Sequence, residues 1–281
     1  MSYKITRREM SHPLLKPILK ELNDFFNKKA IQFFVIGATA RDIIMEVHNL
    51  QSGRLTHDLD IAIAINDWQQ YAEVEKGLLA IQTFKKDLKQ KQRFLYKETF
   101  HLDIVPFGAI MKEADKIFWP PDEQIAMSVL GFNEVTTTLI PVTIDEEIEI
   151  NIASLAGIFI LKVVAWKDRH LRGNKDADDM GFILANYLNI YENVALEKYE
   201  EIYDVDEFST LTAGAKLLGD DLSEILKVNT KTKSSIAKIL KDQLSKAEES
   251  LLINQMLETN RIFKYDEITE TLHIIITKLE Q

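Results

Sequence analysis

The sequence contains no cysteine among its 281 residues. This absence excludes a disulfide framework, a thiolate metal site and a cysteine nucleophile, and it is typical of a cytoplasmic protein. Internal repeats and low-complexity segments are also absent. The chain therefore has the composition of an ordinary globular protein that is long enough for one large domain or two smaller ones.

Long apolar runs are missing as well. The longest, from Ile152 to Trp166, is interrupted by Lys162 and is too short to span a bilayer, so we interpret it as a buried helix. The first eight residues lead into no apolar segment, which argues against a signal peptide. We therefore predict a cytoplasmic protein without a membrane partner.

Positively charged residues are fewer than negatively charged ones: 34 lysines and arginines stand against 44 aspartates and glutamates, which gives a formal net charge of −10. Proteins that bind nucleic acid usually carry a basic excess, so any RNA would have to be bound by a local patch. Two runs are candidates: Lys85, Lys86, Lys89, Lys91, Arg93 and Lys97, and then Lys167, Arg169, His170, Arg172 and Lys175. The first run is better explained as a solvated face.

The apolar patterns predict a mixed α/β domain over residues 1–152 and a helical domain over residues 153–281. Predicted strands cover 32–37, 58–64, 93–97, 100–107, 138–144 and 148–152. Predicted helices cover 12–28, 39–48, the residues after Asp67, 154–169 and the residues from about 176, and apolar residues recur at helical spacing over 234–257. Pro120-Pro121 marks a break.

Two aspartates, Asp58 and Asp60, begin the predicted strand 58–64. Side chains alternate along a strand, so both carboxylates point to the same face. Like charges side by side repel one another unless a cation lies between them. A hard cation such as Mg²⁺ prefers oxygen ligands and often binds substrate phosphates, so this pair indicates phosphoryl or nucleotidyl transfer.

Gly37 ends one predicted strand and precedes a helix. Free N–H groups at such a position favour a phosphate, and the missing Cβ allows close approach, although a plain turn explains the glycine equally well. Thr39 and Arg41 add a hydroxyl and a cation nearby. Asp103 lies inside an apolar run, where a carboxylate without a partner or metal would cost several kcal/mol.

Lys162 lies on an otherwise apolar predicted helix. A buried lysine usually pairs with a carboxylate or contacts a phosphate. The structural alternative is an ion pair from Lys162 or Arg169 to Asp176 or Asp179 that joins two helices. Both interpretations can hold, because an aspartate can orient the lysine.

The order of these residues resembles the DNA polymerase β-type nucleotidyltransferase superfamily. The pattern is Gly-x-x-x-Arg at Gly37, Asp-x-Asp at Asp58, a lone Asp103, and Lys–x₆–Arg–x₅–Lys-Asp-x-x-Asp from Lys162. Within the superfamily, the chain is most similar to the AbiEii-type toxins of type IV toxin–antitoxin systems. The resemblance covers about residues 30–190.

The resemblance implies a nucleotidyltransferase-fold mixed sheet with flanking helices, completed at its active site by the first helices of the C-terminal domain. It also implies transfer of a nucleoside monophosphate from an NTP, with release of pyrophosphate. The resemblance implies that Gly37 contacts the phosphates of the nucleotide and that Asp58, Asp60 and Asp103 bind Mg²⁺ (or Mn²⁺). Asp103 would also remove the proton from the attacking hydroxyl. Lys162 would contact the triphosphate with Asp176 beside it, and Thr39 and Arg41 also belong to the predicted nucleotide site.

The sequence departs from the family pattern at Ala38, where a small glycine or serine commonly follows the glycine, and Thr39 is the candidate replacement hydroxyl. The acceptor stays open. The resemblance suggests RNA, such as a tRNA 3′ end, or a protein, whereas the acidic composition suits a small cationic acceptor of the aminoglycoside type. A further alternative is a non-catalytic nucleotide-binding module that holds a protein partner such as an antitoxin.

Overall fold

The computed structural model describes residues 2–52, 57–113 and 115–281. Within these residues the chain forms two compact units, a first that ends at Ser154 and a second from Leu155 to Gln281. Strands and helices mix in the first unit, whereas the second is helical. The predicted α/β fold class is thus confirmed.

The first unit contains the strands and four of the helices of the described chain. The strands are β1 (Tyr3–Ile5), β2 (Phe33–Ile36), β3 (Asp58–Ala64), β4 (Phe84–Lys86), β5 (Arg93–Tyr96), β6 (Phe100–Phe107), β7 (Lys116–Trp119), β8 (Ile125–Ser128), β9 (Ile140–Ile144) and β10 (Ile148–Ile152). The helices are α1 (Leu15–Lys29), α2 (Gly37–Val47), α3 (Trp68–Ala80) and α4 (Phe132–Val135).

Eight of these strands form one mixed sheet in the order β1-β9-β10-β2-β3-β6-β5-β4. β3 and β6 are parallel, with Asp60 opposite Asp103, and β5 runs antiparallel to β6, with Arg93 opposite Asp103. The central strands are rich in branched and aromatic residues, which suits a buried sheet. This register brings three charged residues into one row across the sheet.

Helices pack on the sheet through apolar faces. α1 buries Ile18, Leu22 and Phe26 at helical spacing and ends at Ala30, which has a left-handed φ of 52°. α3 begins after Asp67, whose carboxylate caps the helix by accepting a hydrogen bond from the Gln70 N–H. α2 packs against β2 and against β3, the strand that carries Asp58 and Asp60.

Several short elements of this unit were not predicted from the sequence, among them β1, β4 and the β7–β8 sheet. β1 has only three residues, too few for a recognisable alternation, and it pairs in parallel with β9. Pro120-Pro121 was predicted as a break, and the structure places a separate two-stranded sheet, β7 and β8, on either side of it. The prolines lie in the connection between these strands, where they interrupt no ladder hydrogen bond.

The second unit consists of helices: α5 (Leu155–Arg169), α6 (Lys175–Ile190), α7 (Glu192–Glu197), α8 (Tyr199–Ile202), α9 (Thr210–Leu226), α10 (Thr230–Leu244), α11 (Leu251–Thr259) and α12 (Tyr265–Glu280). The apolar run at 234–257 is divided between α10 and α11. Ala247 has a φ of 48°, and the Ser250 hydroxyl caps α11 by accepting from the Ile253 N–H. In the described parts of the chain, no helix combines the length and apolarity needed to cross a membrane.

Candidate active site

Asp58 and Asp60 lie on one face of β3, as the alternation of a strand predicts. Leu59 and Ile61, on the opposite face, are fully buried, whereas both aspartates are half-buried. The sheet therefore holds two carboxylates side by side at the beginning of a central strand. Their mutual repulsion is a source of free energy for binding a cation.

Gly37 lies directly against Asp60. It is the first residue of α2, it has a left-handed φ of 66°, and a Cβ built on it would lie 2.6 Å from the Asp60 Oδ2 atom. Any side chain here would collide with the carboxylate and would strain the backbone. The glycine thus allows the N-terminal end of α2, with its free N–H groups, to approach Asp60 closely.

Thr39 and Arg41 are buried inside the first unit. The Thr39 hydroxyl donates to the Asp58 carbonyl oxygen at 3.2 Å, which ties the first turn of α2 to the start of β3. Arg41 is 1% exposed, and its Nε and Nη2 donate to Asp42 Oδ1 at 3.0 and 2.8 Å. Sequence reasoning placed both residues at the nucleotide; their side chains here serve contacts within the protein.

Asp103 is held by Arg93 through a bidentate pair. Arg93 Nε donates to Oδ1 and Nη2 donates to Oδ2, each at 2.7 Å. The hydrogen bond to Asp103 raises the pKa of Arg93 against the opposing effect of burial, and the negative charges of Asp103, Asp58 and Asp60 add to the increase. The buried carboxylate therefore has a protein partner.

From the sequence, Arg93 was assigned only to a basic run, and its pairing with Asp103 was not predicted. The signal was available, because a hairpin turning after Tyr96 pairs Tyr96 with Phe100 and therefore Arg93 with Asp103. Opposite charges on directly paired residues of an antiparallel ladder are a common stabilising arrangement.

The three carboxylates suit a divalent cation in chemistry, because hard cations take carboxylate oxygens. Asp58 and Asp60 share a face, and the missing side chain at Gly37 allows the backbone of α2 to approach the Asp60 Oδ2 atom. Across the residues that the structure describes, no group of three or more histidine, aspartate or glutamate side chains is already gathered for a metal. Asp103 shares the row but is bound by Arg93.

The second unit holds a balanced cluster on α5 and α6. Lys162 Nζ lies 3.2 Å from Asp176 Oδ1 and 2.6 Å from Asp179 Oδ2, and Arg169 donates to both Asp176 oxygens at 2.7 and 2.8 Å. Burial opposes ionisation of Asp176, but the hydrogen bond from Arg169 and the charge of Lys162 outweigh it, so the pKa of Asp176 is lowered. The structural ion pair considered from the sequence is present.

The two basic runs differ in their surroundings. In the first run, Lys85 pairs with Glu98, Lys86 with Glu75 and Lys91 with Asp122, as expected for a solvated face. In the second run, Lys167, Arg172 and Lys175 lie exposed where α5 ends and α6 begins. The second run is therefore the better candidate for a basic patch.

Two cavities of the first unit lie away from the carboxylates. A groove of about 950 Å³ is lined by residues of α1, β2, β9 and β10, including Glu149 and Asn151. A smaller cavity of about 220 Å³ is lined by Thr39 and Asp42 among others. Asp58, Asp60 and Asp103 do not line either cavity, so we place the candidate site by its chemistry.

Comparison with known proteins gives a family match over most of the chain. The family model described as "Nucleotidyl transferase AbiEii toxin, Type IV TA system" matches residues 22–261. A search of curated proteins found no match. Among solved structures, the Elizabethkingia meningoseptica CdnE cyclic dinucleotide synthase with GTP and Apcpp is 10% identical, with 97% of this chain and 93% of that chain covered at a TM-score of 0.30.

Proposed function

The chain belongs to the AbiEii nucleotidyl transferase family, and from this premise we propose that it transfers a nucleoside monophosphate from an NTP to an RNA acceptor at Asp58, Asp60 and Asp103. The observation that carries the assignment is the close approach of Gly37 to Asp60. This contact joins a helix N-terminus, which favours phosphate, to a carboxylate pair, which favours a divalent cation.

The residues of the first unit have different proposed roles, which follow from their chemistry. The N-terminal end of α2 at Gly37 binds phosphate oxygens. Asp58 and Asp60, with Asp103, provide carboxylate oxygens; when Mg²⁺, or Mn²⁺ in its place, is bound there, it supplies Lewis-acid polarisation and neutralises phosphate charge. Thr39 and Arg41 support this arrangement from inside, because Thr39 fixes the start of β3 and Arg41 is paired with Asp42.

Transfer forms a bond between the acceptor hydroxyl oxygen and the α-phosphorus and breaks the bond between the α-phosphorus and the bridging oxygen. Pyrophosphate leaves, and the hydroxyl proton passes to Asp103. We assign triphosphate contact to Lys162, whose ammonium group is oriented by Asp176 and Asp179. Positioning and fixed charge thus provide most of the acceleration.

RNA is favoured as the acceptor by the second basic run. Lys167, Arg172 and Lys175 are exposed on a chain whose net charge is −10, so this cluster is a local exception to the acidic composition. Phosphate contacts by lysine and arginine provide most of the sequence-independent affinity for nucleic acid. A tRNA 3′ end is a suitable acceptor because it is a single-stranded terminus with a hydroxyl.

The first experiment incubates the purified protein with each α-³²P-labelled NTP, Mg²⁺ and total cellular RNA. The Asp60→Asn variant tests the site, and Asp24→Asn, which removes an exposed carboxylate from α1, is the matched control. We expect label in an RNA band that ribonuclease removes, that Asp24→Asn retains and that Asp60→Asn loses.

Other outcomes identify the alternatives. Label that resists ribonuclease but is lost on proteolysis identifies a protein acceptor, and label only in small molecules identifies an aminoglycoside-type enzyme. Mg²⁺-dependent NTP binding without label in any fraction identifies a non-catalytic module. Full labelling by Asp60→Asn would contradict the proposed site.

The family description also suggests toxicity, and we propose that transfer to RNA arrests growth and is countered by an antitoxin encoded with it. Induced expression should slow growth, and Asp60→Asn at equal protein level should not. Equal toxicity of the two proteins would contradict a catalytic origin of the arrest.

A further inference from the structure

One row of side chains crosses the sheet at the candidate site. Asp60 on β3 is in register with Asp103 on β6, which is in register with Arg93 on β5. Paired residues in a sheet point to the same face, so the row places a guanidinium beside the carboxylates that the proposed function assigns to a cation. Asp58 lies on the same face, two residues before Asp60.

Arg93 binds both carboxylate oxygens of Asp103 through one edge of its guanidinium group, formed by Nε and Nη2. The two hydrogen bonds of 2.7 Å involve both carboxylate oxygens, and the side chains of Arg93 and Asp103 are 17% and 12% exposed. A bidentate pair that is shielded from water is stronger than an exposed one. Arg93 also experiences the charges of Asp58 and Asp60, which help to raise its pKa.

We infer that Arg93 is a positioning residue that competes with the divalent cation for Asp103. This inference rests on the proposed function, because it assumes that the three carboxylates bind that cation. Three carboxylates with one guanidinium attract a divalent cation less than three carboxylates alone. Binding of the cation must therefore loosen the hydrogen bonds between Arg93 and Asp103 or overcome the repulsion from Arg93.

The competition has a consequence for the order of binding. A nucleoside triphosphate brings negative charge into the site. An arginine released from Asp103 can bind two phosphate oxygens with the same bidentate geometry. The cation then binds more favourably with the nucleotide than alone. Arg93 thus couples the metal and the nucleotide through their charges.

The experiment measures Mn²⁺ binding directly, from the electron paramagnetic resonance signal of free Mn²⁺ during titration of the full chain. In Arg93→Gln we expect the dissociation constant for Mn²⁺ to fall by about tenfold, since one opposing charge is removed. In Arg93→Lys, which keeps the charge, it should stay near the wild-type value. Lys85→Gln, which removes an exposed positive charge from β4, should leave it unchanged.

Each outcome decides the inference. Weaker Mn²⁺ binding by Arg93→Gln while Arg93→Lys binds normally would mean that Arg93 supports the metal site, and would overturn the competition. An unchanged dissociation constant for Mn²⁺ in both Arg93→Gln and Arg93→Lys would also overturn the competition. Tighter Mn²⁺ binding by Arg93→Gln, lost in the double variant that also carries Asp60→Asn, would establish the competition at this site. Absence of Mn²⁺ binding in the wild type and in Arg93→Gln would overturn the proposed metal role together with the inference.

Fold integrity is checked separately by the thermal unfolding midpoint of each variant without Mn²⁺. If Arg93→Gln does not fold, Asp103→Asn serves as the second variant, because it releases Arg93 and removes one carboxylate. Competition then predicts a loss of Mn²⁺ affinity smaller than that of Asp60→Asn, since Arg93 already reduces the contribution of Asp103. An equal or larger loss would contradict it.

Discussion

The two units each contain a cluster of carboxylates and cations, and the clusters differ in charge balance. On the sheet, Arg93 pairs with Asp103 and is also affected by the negative charges of Asp58 and Asp60. On the helices, Asp176 and Asp179 meet Lys162 and Arg169 in equal number. The helix cluster sets two carboxylates against two cations, whereas the sheet cluster is the one that we propose to bind a further, divalent cation.

This difference indicates how each cluster can be used. An excess of buried or half-buried carboxylates destabilises the folded protein until a cation binds, which is the expected property of a binding site. A balanced buried cluster is strongly coupled internally, so it fixes the lysine that is proposed to contact the triphosphate. Four substitutions test the comparison.

The largest effect is expected from Asp58→Asn. Transfer should fall by at least about 100-fold, because the substitution removes a ligand that acts on the developing phosphate charge. The thermal midpoint should stay equal or rise, because one of two repelling carboxylates becomes neutral. Label transfer and calorimetry on the same preparation measure both; a lower midpoint would mean that the sheet cluster is balanced after all.

Asp176→Asn should show the opposite behaviour. We expect a loss of about 3 kcal/mol in the free energy of unfolding, because Arg169 and Lys162 each lose a buried, charged ion-pair partner. Urea denaturation at pH 7 measures the loss. The exposed pair of Lys238 and Asp242 is the control, and Asp242→Asn should change stability little.

The pH dependence of this variant follows from the lowered pKa of Asp176. A group whose pKa is lowered on folding stabilises the protein above its ordinary value of 3.8, and this contribution disappears as the pH falls through the folded value. The stability difference between wild type and Asp176→Asn should therefore be full at pH 6 and shrink below about pH 4. A constant difference would exclude the ionised pair as its source.

Gly37→Ala should reduce stability by about 1–2 kcal/mol, from the strained φ and the collision with Asp60. Transfer should also fall, because Asp60 must move. Gly173→Ala is a matched control, since Gly173 also has a positive φ but nothing lies within 4 Å of the added Cβ. An equal loss of stability in both variants would show that backbone strain alone, and not the contact with Asp60, is responsible.

The smallest effect is expected at Tyr71, a buried residue whose pKa is raised by burial and by the charges of Glu75 and Asp103. Its hydroxyl has no hydrogen-bond partner among the described residues. Tyr71→Phe should therefore raise the free energy of unfolding by up to about 1 kcal/mol. Tyr96→Phe should lower it, because the Tyr96 hydroxyl donates to Glu21 at 2.7 Å.

Local patterns were sufficient for much of the fold. β3 was predicted at its observed bounds, and the shared face of Asp58 and Asp60 follows from strand alternation alone. The sequence predicts one helix over 154–169 and another from about 176, and Gly173, with a φ of 151°, lies in the connection between α5 and α6. Such features depend on neighbouring residues in the chain, which the sequence displays directly.

Features that depend on pairing across the fold were missed. The partnership of Arg93 and Asp103 depends on the register of two strands, and the burial of Thr39 and Arg41 depends on what packs over α2. A polar side chain at a given position is compatible with a ligand or with a protein partner. Only the three-dimensional neighbours decide between these.

The terminal strands of the main sheet have a consequence for behaviour at high concentration. β1 and β4 have three residues each, and β4 carries Lys85 and Lys86 in ion pairs with Glu98 and Glu75. Short, charged terminal strands are poor templates for a strand from another molecule. The lysine run that the sequence analysis explained as a solvated face thus protects the apolar central strands from aggregation.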